Sequence, residues 1–157
     1  MDEYISLLKD SLRKKERILI ELQDKSDKQA EIVKEENIDW DSFIAVVDEK
    51  GVLIEELTKL DDGFGSIYER IKENLQNDKE KYASDIKDIQ ALIKSVTEKS
   101  ATLQATEQRN KTVIEQAFNK SRKEIKQAKL GQNAALKYYN KMNKIDAVDS
   151  QMLDKNC

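Results

Sequence analysis

Apolar residues return at alternating three- and four-residue steps along most of this chain, and the longest uninterrupted run begins at Ser66. Between Ser66 and Ala128 there is no glycine or proline, and such spacing keeps one side of a helix apolar over many turns. A single helix over that segment would be about 95 Å long at 1.5 Å per residue. Its stripe consists of Tyr82, Ile86, Ile89, Ile93, Val96, Leu103, Ile114, Phe118 and Ile125.

A first helix is predicted from Asp2 to about Glu36. Leu7, Ile18 and Ile32 widen its apolar face beyond the seam of a two-stranded coiled coil, which is the alternative. We therefore expect this helix to contact two neighbours. Its heptad core positions hold Ile5, Leu8, Leu12, Leu19, Leu22 and Val33, interrupted by the polar residues Lys15, Ser26 and Gln29.

A second helix is predicted to begin after a turn at Asn37 to Trp40. Asp39 is a typical N-cap residue, and Ile38 and Phe43 have the spacing of a hydrophobic staple. Trp40 is expected to close this end of the bundle, and Gly51 is expected to permit a close helix crossing. The apolar positions of the second helix are Phe43, Val46, Val47, Leu53, Ile54, Leu57 and Leu60.

A chain reversal is predicted at Gly63 to Gly65, where two glycines follow two aspartates. Ser66 and Glu69 then have the spacing of a capping box. The third helix would start there, antiparallel to the second and parallel to the first, and it would outrun both. The distal stripe would therefore project uncovered, and the polar residues at its core positions, Ser100, Glu107 and Asn110, favour a stretch that leaves the bundle.

Charge divides the chain into unequal parts. Residues 109–144 contain ten basic and two acidic residues, whereas residues 1–108 contain 17 basic and 26 acidic ones. We therefore predict an all-α, elongated antiparallel bundle of three long helices, the third extended, with a short C-terminal helix and a tail. Its parts are an acidic three-helix bundle (1–108), a basic amphipathic helical arm (109–144) and a flexible tail (145–157).

Composition argues against several functions. The chain has no histidine, no proline and one cysteine, Cys157, so the usual general base, the commonest transition-metal ligand and an internal disulfide are all missing. We expect neither an enzyme nor a metal or cofactor site. The sequence has no run of about 20 apolar residues, which is the length that a membrane span needs. The acidic beginning does not resemble a secretion signal, so a cytoplasmic location is expected.

Three interpretations of the basic arm compete. It can bind a partner helix, it can bind nucleic acid or an acidic membrane, or it can fold back onto the acidic bundle. Nucleic acid is disfavoured because no aromatic platform is interleaved with the basic residues. Partner binding is favoured, because an incompletely buried amphipathic helix presents anchors at helical spacing. The candidate binding residues are Ile114, Phe118, Ile125, Leu136, Tyr138 and Tyr139.

Several stretches resemble the FlgN-like flagellar export chaperones, in particular clostridial members. The second helix and the turn after it, from Lys50 to Arg70, carry the Lys-x-x-Leu-Ile-x-x-Leu pattern of that family. Arg122-Lys-Glu-Ile-Lys-Gln-Ala, the Tyr138-Tyr139 pair and Asp149-Ser-Gln-Met-Leu-Asp154 are similar as well. The resemblance covers nearly the whole chain.

The resemblance implies a cytoplasmic type III export chaperone without ATPase function. Such a protein binds the amphipathic C-terminal helix of hook-filament junction proteins, prevents premature assembly and delivers them to the export apparatus. The FliT-like chaperones of the filament cap protein are built similarly, so another flagellar export substrate is an alternative client. A structural coiled-coil or adaptor protein that self-associates through the basic arm is the alternative from another class. A chaperone should be a monomer or weak homo-oligomer until client is added.

Overall fold

A computed structural model describes residues 2–120 and 125–143, together with the side chains of 2–120 and 128–143. Four helices make up nearly all of this part: α1 (Asp2–Lys34), α2 (Trp40–Asn77), α3 (Ala83–Lys120) and α4 (Ile125–Asn143). The all-α prediction of three long helices and a short C-terminal one is therefore confirmed. The predicted tail (145–157) lies outside the described residues.

Helix α1 is the central element of the bundle. It packs against both α2 and α3, which confirms that its wide apolar face serves two neighbours. It is antiparallel to α2, because Lys15 bonds Asp61 while Lys25 bonds Glu49. It is parallel to α3, as the hydrogen-bonded pairs Lys9–Asp85, Glu16–Ser95 and Gln23–Thr106 show.

The predicted reversal at Gly63 to Gly65 is wrong, because α2 continues through both glycines. Each glycine costs a helix about 1 kcal/mol relative to alanine. The burial of large side chains on both sides of them outweighs that cost. Neither glycine has a positive φ, so the backbone needs no special conformation there. The buried face that continues through the site contains Leu57, Asp61, Phe64, Tyr68, Ile71 and Leu75.

The chain reverses instead between Asn77 and Ala83. The five intervening residues are mostly charged, and the amide of Asp78 bonds the carbonyl of Asn74 at 3.1 Å to close the last turn of α2. Tyr82 is 6% exposed and anchors this connection in the core. It lies just before α3 rather than within a longer helix, so the predicted single helix from Ser66 is divided here.

The predicted start of the second helix is confirmed. The carboxylate of Asp39 accepts a hydrogen bond from the amide of Ser42 at 3.1 Å, and α2 begins at Trp40. Trp40 is 2% exposed and stacks on Phe118 with 5.1 Å between ring centroids, while Phe43 meets Trp40 edge-on at 5.4 Å. This aromatic trio closes one end of the bundle, as expected for Trp40.

The distal portion of the third helix does not project, contrary to the prediction. Helix α3 ends at Lys120, and α4 runs back along α2, packing only lightly on α3. Ile114 is 2% exposed and Tyr138 is also 2% exposed, and both belong to one core cluster with residues of α1 and α2. The interpretation in which the arm folds back onto the acidic bundle therefore describes this structure.

Candidate functional site

Several of the polar residues that interrupt the apolar stripes of α1 and α3 meet Lys50 of α2 inside the bundle. Lys50 of α2 has no exposed surface, and its Nζ lies 2.6 Å from Oε1 of Glu107 on α3. The same Nζ donates to Oε1 of Gln29 at 2.7 Å. We call the group formed by Ser26, Gln29, Lys50, Glu107, Asn110, Tyr138 and Tyr139 the polar cluster.

Hydrogen bonds extend the polar cluster to the other helices. The hydroxyl of Ser26 donates to Glu107, and the side-chain amide of Asn110 donates to the carbonyl of Ser26 at 2.9 Å. Helix α4 contributes Tyr138, whose ring centroid lies 4.0 Å from Nζ of Lys50. Glu107 and Asn110 therefore do not mark an exit from the bundle: their polar side chains are matched by polar partners at the same level.

Burial and the charge of Glu107 set the protonation behaviour of the polar cluster. Burial lowers the pKa of Lys50, and the attraction of Glu107 opposes that shift. Burial, and then the charge of Glu107, raise the pKa of both Tyr138 and Tyr139 far above the usual tyrosine range. Both phenols therefore stay neutral in the folded protein, beside a carboxylate that repels their ionised form.

The polar cluster has the geometry of a structural core element. A lysine with a lowered pKa can serve as a nucleophile, but the side chain of Lys50 is fully enclosed. A cavity of about 160 Å³ reaches Glu107 and Tyr139 without being lined by Lys50. Buried polar groups of this kind fix the register of packed helices, because any slip leaves charges and amides without partners.

Helix α4 packs on a surface formed mainly by α2. We call this surface, which includes Trp40 and Phe43, the seat of α4. The buried residues of α4 begin with small ones, Ala128, Gly131 and Ala135. A Cβ on Gly131 would lie 3.2 Å from Cδ1 of Phe43 and 3.3 Å from Cε3 of Trp40. Gly131 is thus the glycine that permits a close approach of helices. Gly51, which was expected to do so, has nothing within 4 Å.

The larger anchors of α4 are described for residues 128–143. In this part of the helix, Tyr138 and Met142 are the large side chains under 10% exposure, at 2% and 8%. At the surface, Nζ of Lys141 bonds Glu55 of α2, a pairing of the basic segment with the acidic bundle. Because small residues bury little apolar area, Tyr138 and Met142 are the main apolar anchors among the α4 side chains that the structure describes.

Five of the six candidate binding residues fall into three groups by burial. Ile114 and Tyr138 are buried, Phe118 and Tyr139 are half-buried, and Leu136 is 52% exposed. Ile125 begins α4, and its side chain lies outside the described residues. Tyr138 and Tyr139 contact each other at 5.3 Å between centroids, and Phe118 belongs to the aromatic trio. Ile125, Leu136, Tyr138 and Tyr139 therefore belong to α4 itself, whereas Ile114 and Phe118 lie on α3.

Sequence reasoning missed the pairing of Lys50 with Glu107. A signal was present, because polar residues interrupt the apolar positions of α1 and α3 at several places. Which of them meet could not be deduced, since the predicted turn at Gly63 to Gly65 gave the wrong register.

Comparison with known proteins gives no match to a family model, to a characterised protein or to a solved structure. Among the residues that the structure describes, none of the helices has the length and apolarity needed to cross a membrane. In the same residues, no three histidine, cysteine or acidic side chains converge to hold a metal ion.

Proposed function

We propose that this protein is a cytoplasmic export chaperone that binds the amphipathic C-terminal helix of a flagellar hook-filament junction protein in the seat occupied by α4. The resemblance to the FlgN-like chaperones motivates the choice of client. The observation that carries the proposal is the seat itself: α4 is an amphipathic helix of 19 residues, and it packs on the aromatic side chains of Trp40 and Phe43. A helix of similar length and pattern can replace it.

Replacement requires α4 to leave its seat at a modest cost. Burial of Tyr138 and Met142 contributes about 1.5 to 3 kcal/mol for each side chain. Trp40 and Phe43 also lose cover when α4 leaves, and a client helix that takes the same place covers them again. Local opening of one helix costs less than global unfolding when few apolar contacts are lost. A client helix with larger apolar residues at the same positions would bury more area and would compete effectively.

Gly131→Val tests the proposal in the full-length chain. The added side chain meets Phe43 and Trp40 at contact distances, and overpacking of this kind costs about 1 to 3 kcal/mol. The seat is then open more often, so a labelled peptide of the client's C-terminal helix should bind at least about fivefold more tightly. Fluorescence anisotropy measures the affinity. Leu130→Ser is the matched control on α4, since Leu130 is 55% exposed, and it should bind the peptide like the wild type.

Phe118→Asp should weaken the same peptide at least tenfold while circular dichroism shows that the bundle remains folded. If that variant unfolds, Phe118→Leu keeps an apolar side chain in the core. It should still weaken peptide binding, because the aromatic contact is lost. Equal peptide affinity for the wild type and Gly131→Val, or no binding at all, would contradict the proposal.

The alternative function, a structural or adaptor protein that self-associates through the basic arm, would use the same seat. A helix that packs lightly on its own neighbour can exchange between two copies of the chain. Sedimentation separates the two functions. A chaperone should form a one-to-one complex when the client peptide is added, whereas an arm-exchanged oligomer should be stable alone, and Gly131→Val should change its population.

A further inference from the structure

One face of α1 carries both an exposed apolar side chain and a cavity. Leu7 is 45% exposed. A cavity of about 470 Å³ opens between α1 and α2, with the apolar residues Ile18, Leu53 and Leu60 less exposed than the charged residues around them. The charged residues of its rim are Lys14, Arg17, Glu21, Glu56 and Lys59.

Leu7 and the cavity share one side of α1. Leu7 and Ile18 are eleven residues apart, which is about three turns, so their side chains project from the same side. If two copies of α1 pack antiparallel about a two-fold axis near residues 12 and 13, Leu7 of each copy faces Ile18 of the other. Each leucine then enters the other copy's cavity, and the contact occurs twice.

Two charged residues of the same strip, Asp10 and Lys14, are complementary in that register. Asp10 of one copy lies opposite Lys14 of the other, and both residues are exposed on α1. A parallel arrangement would instead place Asp10 near Asp10 and Lys14 near Lys14, which is repulsive. The leucine, the cavity and both charges belong to one chain, which is the self-complementarity that an isologous interface needs.

We propose that the α1 strip of Leu7, Asp10, Lys14 and Ile18 binds a second copy of this chain antiparallel, with Leu7 inserted into the cavity lined by Ile18, Leu53 and Leu60. Two leucine anchors make a small interface, below the standard size of stable complexes, so the dimer dissociates readily. The strip lies on α1, and its cavity opens between α1 and α2, whereas α4 packs on α2 around Trp40 and Phe43. Self-association through it therefore does not depend on the proposed function.

Sedimentation of the full-length chain over a concentration series tests the dimer. The wild type should shift from monomer to dimer, and Leu7→Glu should weaken the association at least tenfold. Ile20→Glu is the matched control, because Ile20 has the same 45% exposure on α1 but lines a different cavity, toward α3. A wild type that stays monomeric throughout the series, or equal weakening by both variants, would overturn the proposal.

A charge exchange tests the antiparallel register. Asp10→Lys alone and Lys14→Asp alone should each weaken self-association, because each places like charges together twice. An equimolar mixture of the two variants should recover dimers, since each heterodimer pairs the new lysine with the new aspartate. The intrahelical pairing with Arg13 stays disrupted in the mixture and cannot produce the recovery. Failure of the mixture to associate would refute the register, and it would leave the peptide-binding test of the client seat unaffected.

Discussion

The ion pair between Lys50 and Glu107 offers the sharpest test of the four-helix packing. Its side chains are 0% and 4% exposed, with Nζ and Oε1 separated by 2.6 Å. Glu107→Gln keeps the size of the side chain but leaves the charge of Lys50 buried with only amide oxygens and the ring of Tyr138 as partners. Removing one partner of a buried pair costs about 3 to 5 kcal/mol, because the remaining charge is uncompensated.

That cost is a large fraction of the 5 to 15 kcal/mol that stabilises a typical domain. It corresponds to a fall in Tm of roughly 6 to 20 °C, at about 2 to 4 °C per kcal/mol for a chain of this size. Lys50→Met should lose a similar amount, since Glu107 is then the unpaired charge. Replacing both residues, by Lys50→Met with Glu107→Leu, removes both charges and should cost no more than about 2 kcal/mol.

Urea unfolding of the wild type, the two single variants and the double variant measures the free energies of unfolding. The double variant should be more stable than the sum of the single losses predicts, by about 4 kcal/mol or more. Additive losses would refute the reasoning, because they would mean that the two charges do not depend on each other. Single losses below about 1 kcal/mol would show that water reaches the pair, as for surface ion pairs.

Three further predictions follow from burial, pKa shifts and backbone conformation. Leu57→Ala should lower the free energy of unfolding by about 2 to 5 kcal/mol in urea, because Leu57 is 1% exposed in the core; an unchanged midpoint would refute its packing. The raised pKa values of Tyr138 and Tyr139 mean that above about pH 10 the unfolded chain releases protons that the native chain keeps. The free energy of unfolding should therefore fall as pH rises, by roughly 1.4 kcal/mol per pH unit for each tyrosine. Replacing both tyrosines with phenylalanine should remove this part of the alkaline unfolding, which circular dichroism follows. An unchanged slope of stability against pH would show that the phenols ionise in the folded protein. Gly63→Ala and Gly65→Ala should each raise the free energy of unfolding by about 0.5 to 1 kcal/mol, and so raise Tm. A chain reversal at these glycines would instead make alanine destabilising.

The local features of the bundle were predictable where the chemistry acts over a few residues. The cap of α2 at Asp39 and the aromatic corner at Trp40 were correct, because capping and stapling involve side chains within one turn. The direction of the three long helices and the double contact of α1 were also correct, since a wide apolar face demands two neighbours. The heptad pattern correctly predicted the buried positions of α1, including those of Lys15, Ser26 and Gln29.

The position of the second reversal was not predictable by the same rules. Glycines at Gly63 and Gly65 weaken a helix by about 1 kcal/mol each, whereas the apolar face from Leu57 to Leu75 recovers more through burial in the assembled bundle. The actual reversal lies in a charged stretch before Tyr82 that has no glycine or proline. Its place depends on which helix lengths let α1 cover both neighbours, a property of the whole fold.

The sequence by itself determined that the chain is helical, that it is divided in charge and that its helices carry long apolar stripes, because these properties depend on spacing of 3.6 residues and on side-chain type. The tertiary structure alone decided that the basic arm folds back as α4, and that Lys50, Glu107 and Tyr138 share one buried site. An apolar stripe indicates that one face of a helix must be buried, but it does not indicate which element buries that face. Interior charges are stable only when distant helices bring partners to the same level, so their meaning appears only after the bundle is assembled.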